Sequence, residues 1–165
     1  MQFAAFRDDA DEVIRRALEN NISLINVGTQ KDTSAKAVEM AAQYPEGVWA
    51  TVGLHPIHAA ESYHDPQELG GDPSTGSGFT SRGEEFDYDY YKKLAENQKV
   101  VAIGECGLDY YRLSADTKKK QKEIFEKQIA LSNEIKKPLM IHCRQAFGDL
   151  IGILKSKNLN SPPGV

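Results

Sequence analysis

The sequence predicts an α/β fold, a partial (β/α) barrel of parallel strands, and three observations point to it. Short apolar strands alternate with amphipathic helices along the chain, a pattern that implies parallel pairing with right-handed crossovers. Three polar residues able to do chemistry, His55, Glu105 and His142, fall at the carboxyl ends of three different strands, where a barrel gathers its site. No Gly-rich phosphate turn follows an early strand, although an open doubly wound sheet would be expected to carry one. The 165 residues suffice for one domain with a real core, but a closed barrel takes eight strands and about 250 residues. Only four strands are legible, so residues 1–165 read as a single, incomplete barrel domain.

The elements follow in order. Asp9 and Glu12 have the spacing of a reciprocal helix cap, and Ala10, Val13, Ile14, Ala17 and Leu18 then recur at helical period until Asn20-Asn21. Ile22 to Val27 is short and rich in branched residues, with Gly28 as its stop. A second helix fits Thr33 to Gln43 and is halted by Pro45 and Gly47. Val48 to Val52 is the next strand and leads into Gly53-Leu54-His55-Pro56. Tyr88 to Gln98 suits a helix with an aromatic face. Val100 to Ile103 is a fully apolar strand that ends in Gly104-Glu105. Ala115 to Lys136 is a long helix with Ile124, Phe125, Ile129, Leu131 and Ile135 inward, closed by Pro138. Leu139 to Ile141 is a short strand ending at His142, and Gln145 to Lys157 a last amphipathic helix. Ser161 to Val165 reads as a turn.

One stretch breaks the pattern. Residues 61–85 contain Gly70-Gly71-Asp72-Pro73-Ser74-Thr75-Gly76-Ser77-Gly78 and no apolar period. Such a segment buries too little to offset its ordering entropy, so it reads as a flexible surface insertion rather than a functional lid.

Composition narrows the function. Hydrophobic residues at 40% and charged residues at 27% are those of a globular protein. A net charge of −4 argues against coating nucleic acid by basic charge alone, yet leaves room for an enzyme that grips phosphate through metal ions. No apolar run approaches the ~20 residues of a membrane span, and the start lacks the basic-then-apolar pattern of a secretory signal. Cys106 and Cys143 form neither a disulfide framework nor a metal knuckle, so a reducing cytoplasm is expected. No obligate protein partner is evident.

Glu105 is the first candidate for chemistry. An ionised carboxylate after an apolar strand is costly to bury unless something positive sits against it. A metal ion is one answer, with Gly104 and Gly107 letting the backbone bend around it. A Glu solvated in a βα loop is the other. His142 followed by Arg144 repeats the logic on the next strand, a possible ligand beside a phosphate or carboxylate clamp. A lone histidine is more often satisfied by a backbone carbonyl, but two such groups at equivalent strand ends are harder to dismiss. Carboxylate with imidazole suits Zn²⁺, Mn²⁺ or similar ions. His55, fixed by Pro56, is either a third ligand or a positioned hydrogen-bonding residue. His58 and His64 lie in polar sequence and are expected to be solvated. Lys118 to Lys120 with Lys122 reads as a solvated helix face.

At Gly104-Glu105-Cys106-Gly107-Leu108-Asp109-Tyr110 and Ile141-His142-Cys143-Arg144 the sequence resembles the TatD family of metal-dependent deoxyribonucleases. The resemblance extends over almost the whole chain, through Asn26-Val27-Gly28, Val52 to Pro56, the Gln121, Phe125, Gln128 spacing and Pro138. It implies a TIM-type barrel of the amidohydrolase-like metal hydrolases, which uses divalent cations (Mg, Mn or Zn) to cleave phosphodiester bonds in DNA. It implies that Glu105 is the carboxylate ligand on which catalysis depends and that His142 is a second ligand. Arg144 would then steady the scissile phosphate, and His55 would be a further substrate-side group.

The departures from the family pattern are as informative. The family opens with a strand carrying Asp-x-His-x-His, and this sequence begins just after that place. A further His and an Asp come from later strands in the family, and this sequence stops before both. Gln145 stands where an acidic residue is common, and the insertion around Gly70 to Gly83 exceeds the usual loop. The expectation is therefore an incomplete TatD-type nuclease whose 165 residues alone are inactive. The alternatives are another amidohydrolase-like enzyme acting on a small amide or ester, and a non-catalytic interaction module.

Overall fold

A computed structural model describes residues 3, 6, 8–60, 62–64, 79–81, 83–111 and 117–157, of which 62–64 and 79–81 are described as backbone only. The expected turn at Ser161 to Val165 and most of the insertion lie outside the described residues. The elements are α1 (Ala10–Glu19), β1 (Leu24–Val27), α2 (Lys31–Ala42), β2 (Val48–Val52), a 3₁₀ turn (Pro56–Ala59), β3 (Ser62–His64), β4 (Phe79–Ser81), α3 (Tyr88–Ala95), β5 (Val100–Asp109), α4 (Thr117–Ile135), β6 (Leu139–Arg144) and α5 (Phe147–Ser156).

β1, β2, β5 and β6 form one parallel sheet whose spatial order follows chain order. Each new strand adds beside the last, which is how a barrel wall grows. An open doubly wound sheet instead reverses its strand order at a switch point. The expected parallel architecture is therefore present.

The core lies between the sheet and its helices. Ile14, Val38, Val48, Val52, Leu54, Tyr91 and Ile103 are buried in one cluster, and Cys106, Leu108, Phe125, Ile129 and Leu150 in a second under β5 and β6. Two lysines complete helices from a distance. The Lys99 ammonium donates to the carbonyls of Tyr44 and Pro45 just beyond α2. Lys137 does the same for Ala95 and Asn97 at the end of α3. Both meet the partial negative charge of a helix C-terminus, and burial lowers the Lys137 pKa.

Several sequence expectations need correction. Asp9 precedes α1 but its side chain makes no capping bond, because its backbone (φ −134°, ψ 6°) is not the extended conformation that aims a cap inward. α2 begins at Lys31 rather than Thr33, because Thr33 Oγ1 reaches back to accept from the Gln30 N–H at 2.9 Å. The stretch expected to be unstructured contains a short antiparallel ribbon, β3 with β4; strand pairing there draws on backbone bonds and needs no apolar period. β5 does not stop at Ile103. It runs on to Asp109, and β6 runs on to Arg144, so Glu105 and His142 lie within strands rather than after them.

Candidate metal centre

The site is built where β5 and β6 slip past one another. Their register shifts between Ile103 and Cys106, after which Gly107 lies opposite His142 and Asp109 opposite Arg144. Gly104 (φ +147°) and Gly107 (φ +136°) adopt conformations that side-chain-bearing residues rarely take, and a Cβ on Gly107 would run into the His142 carbonyl oxygen. Side chains alternate along a strand. Glu105 and Asp109 thus share a face of β5, and His142 and Arg144 share the matching face of β6.

Four predicted site residues come together there, with a fifth that the sequence reading did not select. His142 Nδ1 lies 3.0 Å from Glu105 Oε1, and His142 Nε2 lies 2.9 Å from Asp109 Oδ2. The His55 ring packs edge-on against the His142 ring, with centroids 4.3 Å apart, and His55 Nε2 stands 3.7 Å from Glu105 Oε1. Among the described residues, His55, Glu105 and His142 form a group whose ligand atoms all lie within 4.8 Å of one another.

The electrostatics follow from this geometry. The Glu105 bond is the main cause of a raised His142 pKa, and Asp109 adds to it. The His142 bond in turn holds the Glu105 carboxyl below the usual range. Burial works against the Asp109 carboxylate, but bonds from Arg144, the Tyr111 N–H and His142 outweigh it and lower its pKa. Burial, reinforced by the nearby His142, lowers His55 to about 4 and keeps it neutral at pH 7. Its Nδ1 accepts from the Ile57 N–H at 3.2 Å, which places the proton of the neutral ring on Nε2, facing Glu105.

Arg144 is not poised over the site as an isolated clamp. Its Nε donates to both Asp109 oxygens, at 3.0 and 2.9 Å, and Nη2 lies 2.7 Å from Oδ2. The guanidinium also sits over the Tyr111 ring, 4.6 Å from its centroid.

The sequence model of the family described as TatD related DNase matches residues 1–165. The chain belongs to the TatD family. It is 37% identical over 151 residues to a protein of Erwinia tasmaniensis named 3′-5′ ssDNA/RNA exonuclease TatD, covering 91% of this chain and 50% of that one. It is 34% identical over 158 residues to the uncharacterized metal-dependent hydrolase YabD of Bacillus subtilis, covering 95% and 53%. The chain thus spans about half the length of the curated relatives it matches. Among solved structures, a TatD-family hydrolase of Entamoeba histolytica superposes with a TM-score of 0.68 at 27% identity, over 93% of this chain and 47% of that one. A TatD homolog of Escherichia coli gives 0.70 at 23% identity, over 96% and 53%. These likenesses fix the four-stranded sheet as part of a TIM-type barrel.

Within this TatD-family segment, two expectations change. His58 is buried, not solvated, because the 3₁₀ turn folds it back. Its N–H donates to the His55 carbonyl at 3.0 Å and its own carbonyl accepts from the Glu84 N–H at 2.8 Å. The His64 side chain lies outside the described residues. Asp109, only 1% exposed, belongs to the site as much as Glu105 does. No local pattern signals it, because its role comes from lying opposite Arg144 once β5 continues past Ile103. The lysine run behaves as expected of an outer face: Lys122 pairs with Asp149 at 2.8 Å and Lys118 sits over the Tyr110 ring. No described helix is long and apolar enough to cross a membrane.

Proposed function

We propose that this chain supplies part of the active site of a divalent-metal-dependent hydrolase that cleaves phosphodiester bonds in single-stranded nucleic acid, DNA being the expected substrate. The observation that carries this reading is His142 suspended between two carboxylates. Nε2–H donates to Asp109 Oδ2 and Nδ1–H to Glu105 Oε1, 3.0 Å away, and a divalent ion held by Glu105 would replace the Nδ1 proton and meet the freed lone pair. Metal-binding histidines commonly present this arrangement, with one nitrogen free for the ion and the other N–H on a carboxylate. The donor set of carboxylate and imidazole suits Zn²⁺, Mn²⁺ or Mg²⁺ to different degrees, softest first. When bound, a divalent metal supplies an activated water and positive charge against the phosphoryl oxygens.

The residues then divide their work. Glu105 and His142 hold the metal. His55, neutral and with its proton on Nε2, is better suited to donate to a substrate oxygen than to ligate. Arg144 keeps Asp109 ionised, and its half-exposed guanidinium faces outward, where a backbone phosphate can reach it. The names of the relatives support the substrate class. A reducing, cytoplasmic setting fits the free Cys106 and Cys143. Two metal ligands from these 165 residues are few for a hydrolytic site, so we place turnover in the longer protein and metal binding alone in this segment.

Two measurements test this. Residues 1–165, freed of divalent ions, should take up Mn²⁺ or Zn²⁺ in calorimetry without releasing nucleotides from single-stranded DNA. In a full-length protein containing the segment, Glu105→Ala should abolish metal-dependent nucleotide release and leave the circular dichroism unchanged. Wild-type rates in that variant, with metal still required, would remove Glu105 from the site.

A further inference from the structure

We propose that Gln121 and Gln128 of α4 are positioning residues that set the distance between the two halves of the metal centre. The inference rests on the proposed reading of Glu105 and His142 as metal ligands with His55 beside them. Both glutamines are buried, at 1% and 0% exposure, where an amide is costly unless its donor and acceptor are both used. Each spends both on the backbone of a single residue. Gln128 Oε1 accepts from the Leu54 N–H at 2.9 Å and its Nε2 donates to the Leu54 carbonyl at 3.0 Å. Gln121 does the same to Asp109, at 2.9 Å for each bond. Each side-chain amide thus stands in for the peptide of a neighbouring strand.

The two clamped residues lie where the sheet no longer sets the spacing. The ladder between β2 and β5 ends at Val52 with Ile103. Leu54 and Asp109 both lie beyond it. Leu54 immediately precedes His55, and the Asp109 carboxylate orients His142. Seven residues are two helical turns, so α4 presents its two amides ~10 Å apart along a rigid rod. Where strand pairing stops, that rod carries the spacing of the His55 segment from the Asp109–His142 segment. A purely structural role would leave both histidines equally disturbed when either glutamine is lost. A positioning role makes the effects separable.

The test compares Gln121→Met and Gln128→Met with Ile129→Val, an apolar change on the same buried helix. In the metal-free protein, Gln128→Met should shift the imidazole ¹⁵N resonances of His55 more than those of His142, whose ring His55 touches. Gln121→Met should do the reverse, and Ile129→Val should move neither. Titration with Co²⁺, followed by its visible absorption, should show each glutamine variant binding about tenfold more weakly, and Ile129→Val within twofold of wild type despite its lower stability. If either Met variant fails to fold, Gln121→Glu and Gln128→Glu keep the acceptor while removing the amide donor, and the same separation of resonances is expected. Resonances that move by equal amounts, or glutamine variants that bind Co²⁺ as wild type does, would overturn the proposal. Absence of Co²⁺ binding in the wild type would defeat the metal-centre reading instead, and the histidine resonances would still decide the positioning role.

Discussion

The inner and outer strands of the sheet are held in different ways. Every residue of β2 except Trp49 is buried, and so is every residue of β5 except Val101 and Glu105. In β1 only Asn26 is buried, and in β6 no residue is. Yet His142 and Arg144, two of the five residues of the candidate site, stand on β6. Their stiffness comes from the Asp109 carboxylate, which takes both side chains, and from the Tyr110 N–H, which donates to the Arg144 carbonyl at 2.8 Å. Packing fixes the inner half of the site and charge-assisted bonding fixes the outer half.

The sharpest way to break this comparison is to remove apolar volume on each side. Leu108→Ala on β5 empties a fully buried position and should cost about 2–5 kcal/mol in urea unfolding. Ile141→Ala on β6, already 42% exposed, should cost less than about 1 kcal/mol, since the side chain regains little from burial. Equal losses would mean that β6 is packed as β5 is.

A smaller effect tests the other half of the claim. Asp109→Asn keeps the shape but removes the charge that Arg144 and His142 share. It should cost about 1.5–3 kcal/mol, the range for hydrogen bonds to a charged group, with the accelerated hydrogen exchange confined to β6 amides. Exchange that quickens equally in β2 would show that Asp109 supports the whole sheet.

The sequence revealed the fold better than it revealed the site. β2 was legible to the residue, because Val48 to Val52 is apolar and bounded by turn formers. β5 was cut short because Gly104-Glu105-Cys106-Gly107 reads as a turn, and only pairing with β6 across a register shift keeps it extended. Glu105 and His142 stood out as polar groups at the edge of apolar runs. Asp109 did not, since its importance comes from lying opposite Arg144, a relation between strands that no local pattern records. His58 was misread for another reason. It was counted with the polar stretch that follows, whereas its own neighbours Ile57, Ala59 and Ala60 are apolar and a 3₁₀ turn started by Pro56 folds it inward.

The smallest expected effect lies farthest from the sheet. Deleting residues 70–83 should leave the thermal midpoint nearly unchanged, because loop-closure cost varies slowly with length and that stretch has almost no apolar side chains. A large drop in the midpoint would show that the insertion contributes to the packing of the body.

The lysines ahead of β5 and β6 bear on how such a chain can be cut and rejoined. Lys99 closes the helix that precedes β2, and Lys137 closes the helix that precedes β5. Each of these two βα units is therefore finished by a lysine that opens the second unit after it. A splice that treats helix ends as natural seams would strand carbonyls whose counterion travels with a module two units away. Recombination between barrels of this kind should be planned with the lysine and the helix end it closes inherited together, although they lie some forty to fifty-five residues apart in the chain.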